Sequence, residues 1–318
     1  MNPSPDKSQA KHLIIAGTTR AGTTSLYNYV ADHPGVCAST IKETRFFMDS
    51  DELRRLHRFE DGSELYQKFF PACPDDAVRL EATPDYLYCP AAAKWIVETL
   101  PDVHIAIILR EPASRLISWR RYAIQNGLLD PDTTFADYIQ TQFDARDDSD
   151  PEKQSPPQHL RSLQEGRYSQ YLPTWIELFG KDRLTVIHYN DLLTDPAAVT
   201  RRLCESVGID PGFYDGYDYK VHNESRPVRW PKIHSAYRSL IWRVKPFIHD
   251  KPATRAVLRK LRRGTDTALG RTGKATRASP TSADKDKLTA QDHQRLQDFY
   301  QDEPASLARL LGLPDWRW

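Results

Sequence analysis

The run Leu13-Ile14-Ile15-Ala16-Gly17-Thr18-Thr19-Arg20-Ala21-Gly22-Thr23-Thr24-Ser25 constrains the fold more than any other stretch of the chain. Its four leading apolar residues read as a buried strand, and Ser25-Leu26-Tyr27-Asn28-Tyr29-Val30 reads as a helix. Gly17 and Gly22 allow a tight, open turn between them. A strand that feeds a helix through such a turn presents backbone N–H groups and a helix N-terminus to an anion, and the Thr and Ser hydroxyls add donors. The spacing is that of a P-loop, GxxxxG followed by K[ST], except that Thr23 stands where the phosphate-binding lysine belongs. An ATPase or kinase uses that lysine on the terminal phosphates. Here the nearest cation is Arg20, inside the loop.

Two further apolar runs, Val103–Leu109 and 184–189, are flanked by helical patterns at 91–100, 113–126, 168–179 and Pro196–Val207. Continuous apolar strands alternating with helices predict an α/β fold with a P-loop-like central parallel sheet covered on both faces. With 39% hydrophobic residues the chain has enough apolar surface for a sizeable core, and the sequence predicts a single domain over residues 1–318. Residues 1–11 read as a polar tail, and 144–158 as an exposed, acidic, proline-rich loop. The segment 232–263 is different: it holds ten Lys/Arg against one acid, Asp250, interleaved with apolar residues and broken at Pro246 and Pro252. It reads as a basic amphipathic helical insertion toward the C-terminus, suited to an anionic acceptor or to a peripheral contact with an anionic membrane.

The formal net charge of +1 does not mark a nucleic-acid binder. Cys37, Cys73, Cys89 and Cys204 form no CxxC pair and no zinc spacing, so the sequence predicts four reduced core thiols. The N-terminus lacks an apolar signal core, and no run is long enough to span a bilayer. A cytoplasmic location follows as the expectation.

Four blocks give the chain a resemblance to the 3′-phosphoadenosine-5′-phosphosulfate (PAPS)-dependent sulfotransferases, in particular to their heparan-sulfate sulfotransferase-like branch and its bacterial relatives. Residues 14–36 resemble the family's 5′-phosphosulfate loop with the helix and His-Pro turn that follow. Lys42-Glu43-Thr44-Arg45-Phe46-Phe47 resembles its Glu-x-x-Phe-Phe block, and Glu81-Ala82-Thr83-Pro84-Asp85-Tyr86 its E-K-[ST]-P-x-Y block. Arg110-Glu111-Pro112-Ala113-Ser114-Arg115-Leu116-Ile117-Ser118 is similar to the 3′-phosphate block, L-R-[DN]-P-x-x-R-x-x-S, when Leu109 is counted with it. Two departures stand out. Arg20 replaces the usual loop lysine, keeping the cation while changing its geometry. Ala82 replaces a lysine that some relatives place toward the acceptor.

The resemblance implies a sulfuryl transfer from PAPS, releasing 3′-phosphoadenosine-5′-phosphate (PAP), to a hydroxyl or amine of a carbohydrate, glycolipid or other small acceptor. Glu43 is implied as the general base. Arg20, Ala21, Gly22, Thr23, Thr24 and Ser25 are implied as the phosphosulfate cradle, with Arg20 also stabilising charge during transfer. Arg110 and Ser118 are implied as 3′-phosphate ligands, while Arg115 reads as pairing with a carboxylate to hold its helix. Arg45 and Asp85 are candidates to face the acceptor. Lys274 and Arg277 are candidates for a cationic loop closing over the nucleotide. The family requires no metal, and no ligand cluster in the sequence demands one. The competing readings are a P-loop-type small-molecule kinase, against which the missing lysine argues, and a non-catalytic nucleotide- or membrane-binding module, which has no use for Glu43.

Overall fold

The computed structural model describes residues 11–49, 57–147, 157–220 and 288–318. The basic segment 232–263, Lys274, Arg277, the tail up to residue 10 and residues 148–156 lie outside the described residues.

Five parallel strands form one sheet in the order β2-β3-β1-β4-β5. They are β1 (His12–Gly17), β2 (Val36–Ala38), β3 (Val78–Glu81), β4 (Val103–Leu109) and β5 (Leu184–His188). Strands β1 and β4 are buried at every position, as continuous apolar runs in a doubly covered sheet should be. The helices are α1 (Thr23–Ala31), α2 (Pro90–Thr99), α3 (Pro112–Gln125), α4 (Phe135–Asp147), α5 (Gln158–Arg161), α6 (Leu172–Phe179), α7 (Tyr189–Thr194), α8 (Pro196–Val207), α9 (Ala290–Tyr300) and α10 (Glu303–Leu311).

Successive side chains of a strand point to opposite faces, and the sheet uses both. Ile14, Ala16, Ile105 and Ile107 join a core with Ala92, Ala93 and Ile96 of α2 and Leu172, Trp175 and Phe179 of α6. Leu13, Ile15, Ala106 and Ile108 join the opposite core with Leu26 and Val30 of α1 and Val199, Leu203 and Val207 of α8. The expected parallel α/β sheet is therefore present, with helices on both faces.

By internal contacts the chain divides into two compact units. The first takes in the sheet, from Met1–Glu111, Arg167–Asn223 and Asp302–Trp318. The second comes from Pro112–Gly166 and Glu224–Gln301, and its described core gathers Leu116, Trp119, Phe135, Tyr138, Ile139, Leu163, Leu296 and Tyr300. No helix among the described residues is long and apolar enough to cross a membrane.

Three expectations need correction. The predicted helix over 168–179 is a 3-10 turn at Tyr168–Gln170 followed by α6, because Pro173 has no N–H to donate and fits only the first turn of a helix. The predicted loop over 144–158 does not hold at its two ends: residues 144–147 complete α4, and Gln158 opens α5. The third concerns the thiols. Cys89 and Cys204 are buried and free, and burial pushes each thiol up to about 11. Cys37 and Cys73, by contrast, form a disulfide with their Cα atoms 5.8 Å apart. Sequence spacing gave no sign of this pair, because β2 and the segment after the 3-10 helix Ser63–Phe69 meet only through the fold.

This bond closes the 36-residue span that contains Glu43, Arg45 and the Phe46-Phe47 pair. Replacing both cysteines by serine is expected to lower stability by roughly 2–4 kcal/mol through the freed unfolded chain. Thermal unfolding of the oxidised wild type beside the double variant checks this, and equal midpoints would contradict it.

Candidate active site

The loop after β1 is shaped by two residues with left-handed backbone, Arg20 at φ 65° and Gly22 at φ 80°. A non-glycine residue there is uncommon, so the turn holds Arg20 against its preference. Glycine is required at 22 for two reasons. The positive φ favours it, and an added Cβ would sit 3.1 Å from Tyr189 Cε2 and 3.2 Å from Leu192 Cδ2. Gly17 meets a different constraint, since a Cβ there would lie 3.0 Å from Leu87. Gly22 is the N-cap of α1 and has no side chain of its own to cap that terminus. The N-terminal amides of the helix thus face the loop, in the arrangement that binds phosphate-type anions. Thr23 and Ser25 are buried in the first turn, while Thr24 and Arg20 keep partial exposure and Ala21 packs into the core.

Arg110 follows β4, the strand next to β1, and its Nη1 donates to the Arg20 carbonyl at 2.9 Å. Its guanidinium also lies over the Tyr189 ring, 4.6 Å from the centroid. On its backbone side, the Tyr168 hydroxyl donates to the Arg110 carbonyl at 2.7 Å. The two predicted anion-binding stretches are therefore adjacent at the C-terminal ends of neighbouring parallel strands, where open α/β sheets bind their ligands. Tyr189 ends the apolar run 184–189, and the sequence assigns it no role. Its place beneath Arg110 becomes visible only when the strand order does.

Ser118 is buried on α3, in the second unit. In that unit Arg115 is wholly buried, with Nη1 3.6 Å from Glu165 Oε2 and Nη2 donating to the Ser162 carbonyl. The carboxylate-pairing expectation for Arg115 holds, although the pair lies in the interior rather than at the surface.

Glu43 lies on the segment after β2. Its side chain is 37% exposed and pairs with Lys42 at 3.2 Å and with Arg45 Nη2 at 2.9 Å. Arg45 also reaches Asp85, with Nε 3.7 Å from Oδ2, and has φ 53°. Phe46 and Phe47 next to it are fully buried and anchor the segment in the core. Asp85 belongs to the 3-10 helix Pro84–Tyr88, which packs on the anion loop: Leu87 approaches Gly17, and the Tyr88 hydroxyl hydrogen-bonds to Thr18 Oγ1. One continuous set of contacts thus runs from the anion loop through Asp85 and Arg45 to Glu43. The sequence predicts each of these residues separately but not the ion-pair chain that joins them. It also assigns nothing to Glu81, which ends β3 fully buried beneath this segment.

A parallel sheet whose first strand opens through a glycine-capped loop with left-handed backbone into a helix defines the P-loop-like class of α/β proteins. The chain belongs to the sulfotransferase domain family, whose match covers residues 10–219. It is similar to bifunctional heparan sulfate N-deacetylase/N-sulfotransferase 1 of Caenorhabditis elegans, at 26% identity over 66% of this chain and 24% of that protein. Human bifunctional heparan sulfate N-deacetylase/N-sulfotransferase 3 is also 26% identical, over 63% of this chain and 22% of its own length. The chain thus spans about a quarter of the length of these relatives. Among solved structures, a sulfotransferase from Alicyclobacillus acidocaldarius superposes with a TM-score of 0.55 at 22% identity, covering 77% of this chain and 98% of that one. This likeness concerns the fold.

Proposed function

We propose that the protein transfers a sulfuryl group from PAPS to a hydroxyl or amine of a carbohydrate, glycolipid or other small acceptor. The observation that carries this reading is the adjacency of two anion-binding elements, the Arg20–Ser25 loop and Arg110, joined by the hydrogen bond from Arg110 to the Arg20 carbonyl. PAPS carries negative charge at both its 5′-phosphosulfate and its 3′-phosphate, and a nucleoside triphosphate lacks the second of these. The relatives' names speak of heparan sulfate N-sulfotransfer, which supports a sugar-bearing acceptor.

In the proposed reaction the acceptor oxygen or nitrogen attacks sulfur in line. The bond from sulfur to the 5′-phosphate oxygen breaks, and PAP leaves with the electron pair. Glu43 accepts the acceptor's proton; Lys42 and Arg45 hold its carboxylate in place. Arg20 and the amides at the start of α1 offset the negative charge that builds on the leaving phosphate. Arg20 keeps its charge throughout and so acts electrostatically, not as an acid. Arg110 binds the 3′-phosphate, with Ser118 as a second proposed ligand. Arg45 and Asp85 border the acceptor. Lys274 and Arg277 are proposed to close over the nucleotide, and the basic segment 232–263 to meet an anionic acceptor or membrane surface.

Calorimetric titration tests the donor assignment. PAP should bind at least about tenfold more tightly than AMP, because one charge-assisted contact to the 3′-phosphate is worth at least that much. Equal affinities would remove the assignment. ATP with magnesium supplies the kinase comparison, and binding tighter than that of PAP would favour the kinase.

A further inference from the structure

Glu81 is fully buried at the end of β3 and receives four hydroxyl hydrogen bonds. Thr44 Oγ1 donates to its Oε2 at 2.5 Å, and Thr83 Oγ1 to the same oxygen at 3.1 Å. The Tyr66 and Tyr86 hydroxyls donate to Oε1 at 3.1 and 3.2 Å. An ionised carboxylate is an acceptor at both oxygens and suits four donors; a protonated one would turn a hydroxyl of its own against one of them. Burial pushes this carboxyl up, and the same hydroxyls pull it back down.

Three of the four donors also hold the segment that carries Glu43. Thr44 follows Glu43 directly. Thr83 Oγ1 accepts from the Arg45 amide at 3.2 Å, and the Tyr86 hydroxyl accepts from the Phe47 amide at 3.3 Å. The Ala82 amide adds a bond to the Lys42 carbonyl at 2.9 Å. Tyr66 stands apart. It comes from the 3-10 helix Ser63–Phe69, and its hydroxyl bonds to the carboxylate rather than to the backbone of residues 42–47.

We propose that Glu81 is a positioning residue for sulfuryl transfer: its carboxylate orders Thr44, Thr83 and Tyr86, and these fix the backbone that aims Glu43. The proposal rests on Glu43 being the base. Glu81 itself touches neither donor nor acceptor.

The test compares variants of the full chain that remove one donor at a time. Hydrogen–deuterium exchange is read over residues 42–48, and PAP affinity is measured beside it. Thr44→Val is expected to speed exchange there by at least about tenfold, since the local opening loses a buried charged hydrogen bond, with PAP affinity within about twofold. Thr44→Ser keeps the hydroxyl and restores protection. Tyr66→Phe removes an equivalent bond to the same carboxylate and is expected to lower the unfolding midpoint while exchange over 42–48 stays within about twofold. Glu81→Gln places an amide donor against hydroxyl donors and is expected to open the same segment. A merely structural hub moves Thr44→Val and Tyr66→Phe alike, and that result overturns the proposal, as does unchanged protection in Thr44→Val. Release of labelled sulfate from PAPS to water is followed in the same variants and in Glu43→Gln. Unchanged release in Glu43→Gln removes the base assignment, whereas loss there with unchanged release in Thr44→Val removes the positioning role alone.

Discussion

Glu43→Gln is expected to slow sulfuryl transfer by about 10²–10⁴-fold, the range that a positioned general base supplies. Its affinity for PAP is expected to stay within about twofold of wild type, because a group that acts mainly in the transition state leaves ground-state nucleotide binding alone. The substitution is nearly isosteric, and the side chain is partly exposed, so folding should be intact. The neighbouring charges sharpen this expectation. Glu43 is held between Lys42 and Arg45, and Arg45 is shared with Asp85. A neutral amide in place of the Glu43 carboxylate would leave Arg45 to Asp85 and could no longer take a proton. Single-turnover transfer measured beside calorimetry with PAP separates the two effects. A variant that turns over at the wild-type rate, or that loses transfer and PAP affinity in parallel, contradicts the assignment.

The second large effect is expected at Arg110. Arg110→Ala should weaken PAP by about 10- to 150-fold, the equivalent of one charged hydrogen-bonding contact of roughly 1.5–3 kcal/mol. AMP has no 3′-phosphate, so its affinity should fall far less, and the PAP-to-AMP ratio should collapse toward one. A smaller loss for both ligands is expected as well, because Arg110 also holds the Arg20 carbonyl and so braces the anion loop. Arg110→Lys keeps the charge without the planar fork, and an intermediate ratio is the expected result. An unchanged ratio in Arg110→Ala places the 3′-phosphate elsewhere.

The sequence was informative where burial and punctuation coincided. Strands β1 and β4 are apolar at almost every position and end in Gly17 and at Arg110-Glu111-Pro112, so their existence and limits are close to what periodicity predicts. The helices α1, α2, α3 and α8 followed for the same reason. Strands β2 and β3 were illegible. Val36-Cys37-Ala38 has three residues, and Val78-Arg79-Leu80-Glu81 carries two charges, so neither shows a strand pattern until β3 has β1 to pair with and β2 has β3.

The site divides in the same way. Arg20, Glu43 and Arg110 were reachable because each lies in a block with family-like spacing. The contacts among them were not, because they depend on strand order. With β1 between β3 and β4, the anion loop has the Asp85-bearing helix on one side and Arg110 on the other. Glu81 was hidden for a further reason: a carboxylate in a short strand resembles a surface residue until the fold brings the Thr44 and Tyr66 hydroxyls to it beside those of nearby Thr83 and Tyr86. The Cys37–Cys73 bond likewise joins residues that the sequence separates by 36 positions.

The central claim is that this sulfotransferase-family chain moves sulfate from PAPS to an acceptor. The measurement that bears on it most directly is incubation of the protein with PAPS labelled in its sulfuryl group and extracts of its source, followed by mass spectrometry of the labelled products. Labelled sulfate esters or sulfamates that form with wild type and are absent with Glu43→Gln are the predicted result. Label that remains in PAPS or appears as inorganic sulfate alone, at equal rates with both proteins, would contradict it.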